Sequence, residues 1–325
     1  MTTLFITEQG TRLIKSGYSL VVKRGTERIF LYPLEQIQQL VLVGRIEITS
    51  SLLGFLMQRG IDTVFLRQDG RFKGRVSGAT GKNILVRQAQ FRKRDDDTLV
   101  LKLSRALIYA KIHNTAYILR KLSHGTWEEL RGRIRNALHS VERASTLDVL
   151  RGLEGSFSNL YFSRFPRLLK HDFHFRKRIK HPPEDPVNIL LSFGYTLLFN
   201  SLFGLIEVAG LDPYAGFFHQ TRYGHAALVS DIMEPFRAPV VDRLVIQILN
   251  NELITEEDFR REEGNMRLAP QAIQRFVTAY RNRLFTARKQ GDRRVNLWQI
   301  LQKEVGKFQN YLMGRTDEYQ PYRFR

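Results

Sequence analysis

Residues 77–83 read SGATGKN, a small, polar, glycine-rich run with no side chain large enough to anchor a core. Such a run carries neither the period of two of a strand nor the 3.6 of a helix, so it reads as a linker. The pattern of the chain changes across it. Upstream, short β-rich runs follow one another: LFIT (4–7), YSLVV (18–22), RIFLY (28–32), QLVLV (39–43), RIEIT (45–49) and DTVFL (62–66), separated by glycine, lysine and aspartate. Ser50 or Ser51 is the expected cap of one helix in LLGFLMQRG. Asp69-Gly70 predicts a hairpin with a type I′ turn, which needs positive φ at both central residues.

Downstream the period becomes helical. Leu99, Leu103, Leu107, Ala110, Asn114 and Tyr117 recur on or near one stripe between Leu99 and Leu122. Asp185-Pro186 before VNILLSFGYTLL is an N-cap followed by proline at the first helical position, where the missing N–H costs nothing. Further helices are expected at Val240–Asn250, Pro270–Lys289 and Leu297–Met313, with an extended DEYQPYRFR tail. The fold class is therefore α+β: a small β-rich domain at 1–78, a junction at 79–84, and a larger all-α domain at 85–325.

The chain has 325 residues with 51 Lys+Arg against 32 Asp+Glu, a net charge of +19. That imbalance favours a polyanion, nucleic acid first and an anionic membrane surface second. The absence of cysteine excludes disulfides, thiol nucleophiles and zinc ribbons, and fits a cytoplasmic protein. The N-terminus lacks the basic and apolar regions of a secretion signal. The apolar stretch Val187–Val208 is broken by Asn188, Ser192, Asn200, Ser201 and Glu207, so it reads as a buried core helix with no membrane role.

Two segments carry chemistry. In LDVLRGLEGSFSNLYF, Leu147, Leu150, Glu154, Phe157 and Tyr161 are spaced by three and four, which puts one carboxylate on an apolar helical stripe. It needs a cation there, either an arginine or a metal. In GFFHQTRYGHAALVSDIMEPFR (216–237), His219 precedes an i,i+3 acid pair, Asp231 and Glu234. An imidazole with two or three carboxylates suits Mg2+ or Mn2+, with positions left for phosphate oxygens. His225 is a competing ligand candidate. No P-loop, dinucleotide fingerprint or G-x-S-x-G elbow is present.

These residues resemble a known family. GLEGSFSNLYF, HPPEDPVNILLSFGYTLL, and GFFH followed by Asp231, Glu234 and Pro235-Phe236-Arg237 are similar to the motifs of the CRISPR-associated spacer integrases, the Cas1 family. VLVGRIEITSSLLGFLMQRGIDTVFLRQDGRFKGRV resembles its N-terminal β domain, and LIYAKIHNTAYILR its first catalytic helices. The resemblance implies Glu154, His219 and Glu234 as catalytic metal ligands for Mg2+ or Mn2+, with Asp231 as a supporting acid. It also implies a homodimer through the β domains and a Cas2 dimer bridging two such dimers. The DNA substrates would be a prespacer duplex and the CRISPR repeat, joined by transesterification of a 3′-hydroxyl. Arg164, Arg178 and Tyr161 are the expected DNA contacts. Gly224-His225-Ala226-Ala227 and Lys180-His181 depart from the usual pattern without touching the triad. A repair nuclease acting on branched DNA and a non-catalytic nucleic-acid scaffold are the alternatives.

Overall fold

The computed structural model describes residues 2–78, 83–122, 124–179, 183–262, 265–290 and 293–324. Most of the expected junction (79–82) and Lys180-His181 lie outside the described residues. Eight strands and one helix form the N-terminal part: β1 (Thr2–Ile6), β2 (Thr11–Ser16), β3 (Ser19–Arg24), β4 (Glu27–Pro33), β5 (Ile37–Val43), β6 (Ile46–Ile48), α1 (Ser50–Gln58), β7 (Asp62–Leu66) and β8 (Phe72–Val76). They make two four-stranded sheets, in orders β4-β3-β2-β6 and β1-β5-β7-β8.

Strand β5 shows how this part joins the rest. Its run IQQLVLV is apolar on both faces because both are covered. Leu40 and Leu42 enter the core between the sheets and α1, with Leu13, Leu20, Leu52 and Leu56. Val41 and Val43 point the other way, with Val64 and Leu66, into the helical core. The two halves are tied by a polar seam as well. Arg75 lies 2.9 Å from Asp62 and donates to the Asn200 carbonyl at 3.1 Å, while Gln39 donates to Asp62 at 2.7 Å and to the same carbonyl at 3.0 Å. Gly204 permits this contact, since a Cβ there would stand 2.9 Å from the Asp62 carboxylate.

Two local expectations are corrected here. Helix α1 is capped by Thr49, which accepts from Leu52 N–H, so Ser50 is already inside the helix. At the β7–β8 turn only Gly70 has positive φ (+82°), and the loop closes through Arg67 and Arg71, so it is no two-residue type I′ turn.

The remainder is mostly helical: α2 (Ile84–Arg94), α3 (Asp97–Leu122), α4 (His124–Arg143), α5 (Leu147–Arg164), α6 (Pro186–Val208), α7 (Ala227–Met233), α8 (Arg243–Asn250), α9 (Pro270–Phe285) and α10 (Leu297–Leu312). It is not all-α. Two hairpins interrupt it, β9 (Phe259–Glu262) with β10 (Asn265–Leu268) and β11 (Arg288–Gln290) with β12 (Arg293–Val295). The second hairpin takes the place of the last turn expected of a helix running to Lys289. Helix α6 begins as its sequence requires, with Asp185 accepting from Asn188 N–H at 2.8 Å and Pro186 at the first position. It is long and apolar enough to cross a membrane, but 72% of its most apolar window is buried inside this fold, which makes it the core helix. Phe165, Phe173 and Phe175 are likewise core residues.

Candidate active site

Three chain segments meet at one point. Helix α5, capped by Thr146, carries Leu150, Phe157 and Tyr161 into the core and leaves Glu154 at the edge of the same stripe, its side chain 24% exposed. Helix α7 is followed by a 3₁₀ turn at Glu234–Phe236 and a π turn at Arg237–Asp242, and this break in helical geometry presents Glu234 and Arg237 side by side. The loop 216–226 brings in His219. Gly216 lets that loop close on α7, because a Cβ there would meet Ala227 at 2.7 Å and the Asp231 carboxylate at 2.8 Å.

At the centre stands a residue that the sequence reading missed. The Lys111 ammonium, from α3, contacts Glu154 and lies 2.6 Å from Glu234. The cation required by the charge on the apolar stripe is therefore a lysine, and no arginine. Ser158 donates to Glu154 at 2.7 Å, and Arg237 donates to Glu234 at 2.9 Å. Burial pushes the Glu234 carboxyl up, but Arg237, Lys111 and His219 outweigh it and hold the group well below the ordinary carboxylate range. Burial acts on Lys111 in the opposite sense, and Glu234 and Glu154 overcome it, raising the ammonium above its ordinary value.

Asp231 is fully buried and does not face the two glutamates. Its Oδ2 accepts from the N–H groups of Phe217 and Phe218 at 2.5 and 3.1 Å, and its Oδ1 from the His219 N–H at 2.9 Å. The same Oδ1 lies 2.7 Å from His219 Nδ1. The other ring nitrogen, Nε2, lies 3.8 Å from Glu234. Asp231 thus fixes the ring and the loop, which is a positioning role. His225 packs against the His219 ring with centroids 5.8 Å apart and lies 3.4 Å from Ser230 Oγ.

Among the described residues no three His, Asp or Glu side chains are drawn together into a preformed metal cage. The physical reason is Lys111, whose ammonium occupies the space between the acids. The donor set nonetheless fits a hard divalent ion: two carboxylates, one oriented imidazole nitrogen, and a cation already standing in at their meeting point. Glu154 and His219 open on a groove of about 620 Å3 lined also by Arg151, Gln220, Arg222 and Tyr223. A larger hollow, about 1350 Å3, lies along α3 and α4 and contains none of these acids.

One expected DNA contact is corrected. Tyr161 is 4% exposed, packed edge-on against Phe165 and beside Phe162, so its ring belongs to the core. Arg178, half-buried, donates to Asn188 at 2.8 Å, to Ser192 at 3.0 Å and to the Ile179 carbonyl, and so helps hold the segment before α6. Arg164 is half-buried, 3.9 Å from Glu129.

The profile of the family described as CRISPR associated protein Cas1 matches residues 4–282. The chain belongs to the Cas1 family. CRISPR-associated endonuclease Cas1 3 of Thermus thermophilus is 35% identical over 327 residues, covering 99% of this chain and 97% of that one. Among solved structures, a Cas6-RT-Cas1–Cas2 complex superposes with a TM-score of 0.87 at 27% identity, over all of this chain and 36% of that one. A casposase bound to integration product superposes with a TM-score of 0.88 at 21% identity, over all of this chain and 95% of that one, a likeness of fold. The mixed architecture of small N-terminal sheets and a helical C-terminal region is that of Cas1 structures.

Proposed function

We propose that this chain is a divalent-metal-dependent DNA nuclease and integrase that inserts spacer DNA into a CRISPR array. The observation that carries the reading is the Lys111 ammonium lodged between Glu154 and Glu234, with His219 Nε2 3.8 Å from Glu234. A bound Mg2+ or Mn2+ would be held by Glu154, His219 and Glu234 and would supply Lewis-acid activation of the 3′-hydroxyl and charge neutralisation at phosphorus. The chain's own part is positional. Asp231 orients the imidazole through Nδ1, and Arg237 helps keep Glu234 ionised. Helix α5 leaves a bare surface next to Glu154, where a Cβ on Gly152 or Gly155 would meet nothing. A DNA backbone has room to approach there. In the transfer, the 3′-oxygen forms a bond to phosphorus as the target's own P–O bond breaks and the displaced oxygen takes the proton. One phosphodiester replaces another, so no nucleotide is consumed.

The net charge of +19 supports a polyanionic substrate. A homodimer through the β-rich part is supported by β4, an edge strand on which Ile29, Phe30 and Leu31 are all at least 40% exposed. The partner of that dimer would be Cas2, the site of action the cytoplasm, and the substrates the prespacer duplex and the CRISPR repeat. Strand transfer of a labelled 3′-hydroxyl duplex into a repeat-bearing plasmid, with Mn2+ and Cas2, tests the site. Glu154→Ala and His219→Ala should each abolish transfer, and transfer surviving both changes would place the chemistry elsewhere.

A further inference from the structure

The groove beside Glu154 and His219 has one side chain with no structural task. Tyr223 is fully exposed, yet it lines the same cavity as the two proposed ligands. Single exposed aromatics are common on protein surfaces, but this one sits on a turn tied by hydrogen bonds at its base and tip. The Arg222 carbonyl accepts from His225 N–H at 3.0 Å, closing a four-residue turn in which Gly224 takes φ +72°, a conformation suited to glycine. Arg94 fastens the base of the loop through the Gly216 carbonyl at 2.8 Å and the Thr221 hydroxyl at 2.9 Å. From the opposite wall, Arg151 donates to the Phe218 carbonyl at 3.1 Å. The ring is thus presented at the mouth of the groove on a backbone turn closed by these bonds. Arg151 and Arg222 flank it with positive charge.

We propose that Tyr223 is a stacking wedge: it holds an unstacked base of the DNA strand that enters the groove, next to the phosphate that reacts. A flat ring stacks on any base, and an inserted side chain kinks the backbone at the step it opens. The kink turns the phosphate toward Glu154 and His219 while the two arginines hold its neighbours. The role needs the ring and makes no use of the phenol. This inference rests on the proposed strand-transfer reading of the site.

The test uses a three-way branched DNA with 2-aminopurine beside the branch, bound to the full chain in EDTA, so that stacking is read without chemistry. Fluorescence should rise with the wild-type chain, with Y223F and with E154A, and should stay flat with Y223A. Y223A should also bind the branch about tenfold more weakly and recover transfer on a target already unpaired at that position. No rise with the wild-type chain, an equal rise with Y223A, or loss of the rise in Y223F would each overturn the wedge. Failure of the underlying site reading would show separately, as strand transfer by E154A.

Discussion

Replacing Lys111 by methionine separates the two jobs of the space between the acids. In the wild-type chain the ammonium neutralises Glu234 at 2.6 Å and touches Glu154, with side-chain exposures of 13% for the lysine, 5% for Glu234 and 24% for Glu154. Removing one partner of a buried ion pair costs about 3–5 kcal/mol, since the other charge is stranded. Arg237 remains 2.9 Å from Glu234, and water reaches Glu154, so the lower end applies. A loss of about 3 kcal/mol corresponds to a melting temperature about 4 °C lower in a chain of this size. Divalent metal should reverse the comparison. At the proposed site an incoming Mn2+ would have to displace the ammonium in the wild-type chain, whereas in K111M it would meet two carboxylates freed of the lysine. If its Kd falls about tenfold, the added stabilisation is about 1.4 kcal/mol at equal excess ion, or about 2 °C. Melting followed with and without millimolar Mn2+, with Kd from calorimetry, measures both effects. A K111M chain that melts with the wild type without metal, or gains no more from Mn2+, would refute the placement of Lys111 as the resident cation.

Asp231→Ala should weaken Mn2+ binding about 10- to 100-fold, because the ring of His219 loses its orienting partner; unchanged affinity by calorimetry would show that the ring is held by something else. Glu234→Gln tests pH linkage: the native carboxyl lies below its ordinary value of 4.5, so ionised Glu234 stabilises the fold above that pH and loses this contribution as pH falls. The stability gap between wild type and E234Q should therefore be full at pH 7 and shrink below about pH 4.5, and a gap that widens on acidification would reverse the assignment. Arg75→Met should cost about 3–5 kcal/mol by stranding Asp62 at the seam between the sheets and α6, and an unchanged denaturant midpoint would mean the seam contributes nothing. Leu31→Glu on the exposed face of β4 should shift the chain to a monomer in sedimentation velocity, and an unaltered dimer would move the interface off that strand.

Glu154 was legible because a carboxylate interrupts an apolar stripe of constant spacing, and the helix formed as that spacing demands. The same logic applies to Lys111, which sits four residues after Leu107 and three before Asn114, both buried. A cation on the core stripe of one helix and an anion on the core stripe of another are a pairing signal. On α3 the cation lies beside the recurring positions Leu107, Ala110 and Asn114, so the stripe's period does not by itself mark it. Asp231 and Glu234 look interchangeable in sequence, since an i,i+3 pair on a helix shares a face. The helix ends between them, at the 3₁₀ and π turns, so they point to different places. The hairpins β9–β10 and β11–β12 were invisible for another reason: FRRE and RRV have no apolar alternation, so nothing in their composition marks a strand.

The tail explains why α3 holds Lys111 so firmly in place. Asn114, one turn further along the same face, donates to the Pro235 carbonyl at 2.8 Å and to the Tyr322 carbonyl at 2.9 Å, and accepts from Phe324 N–H at 2.9 Å. One buried amide therefore ties α3 both to the turn that carries Glu234 and to the last residues of the chain. Tyr322 stacks on Phe236, and Tyr319 donates to the buried Glu304 at 2.7 Å, so the tail aromatics pack on their own chain. The ammonium and the carboxylate it neutralises are each set by a backbone that Asn114 crosslinks. On the proposed metal site, an ion taking the ammonium's place would require Lys111 to move, while Asn114 keeps α3 tied to the Pro235 carbonyl.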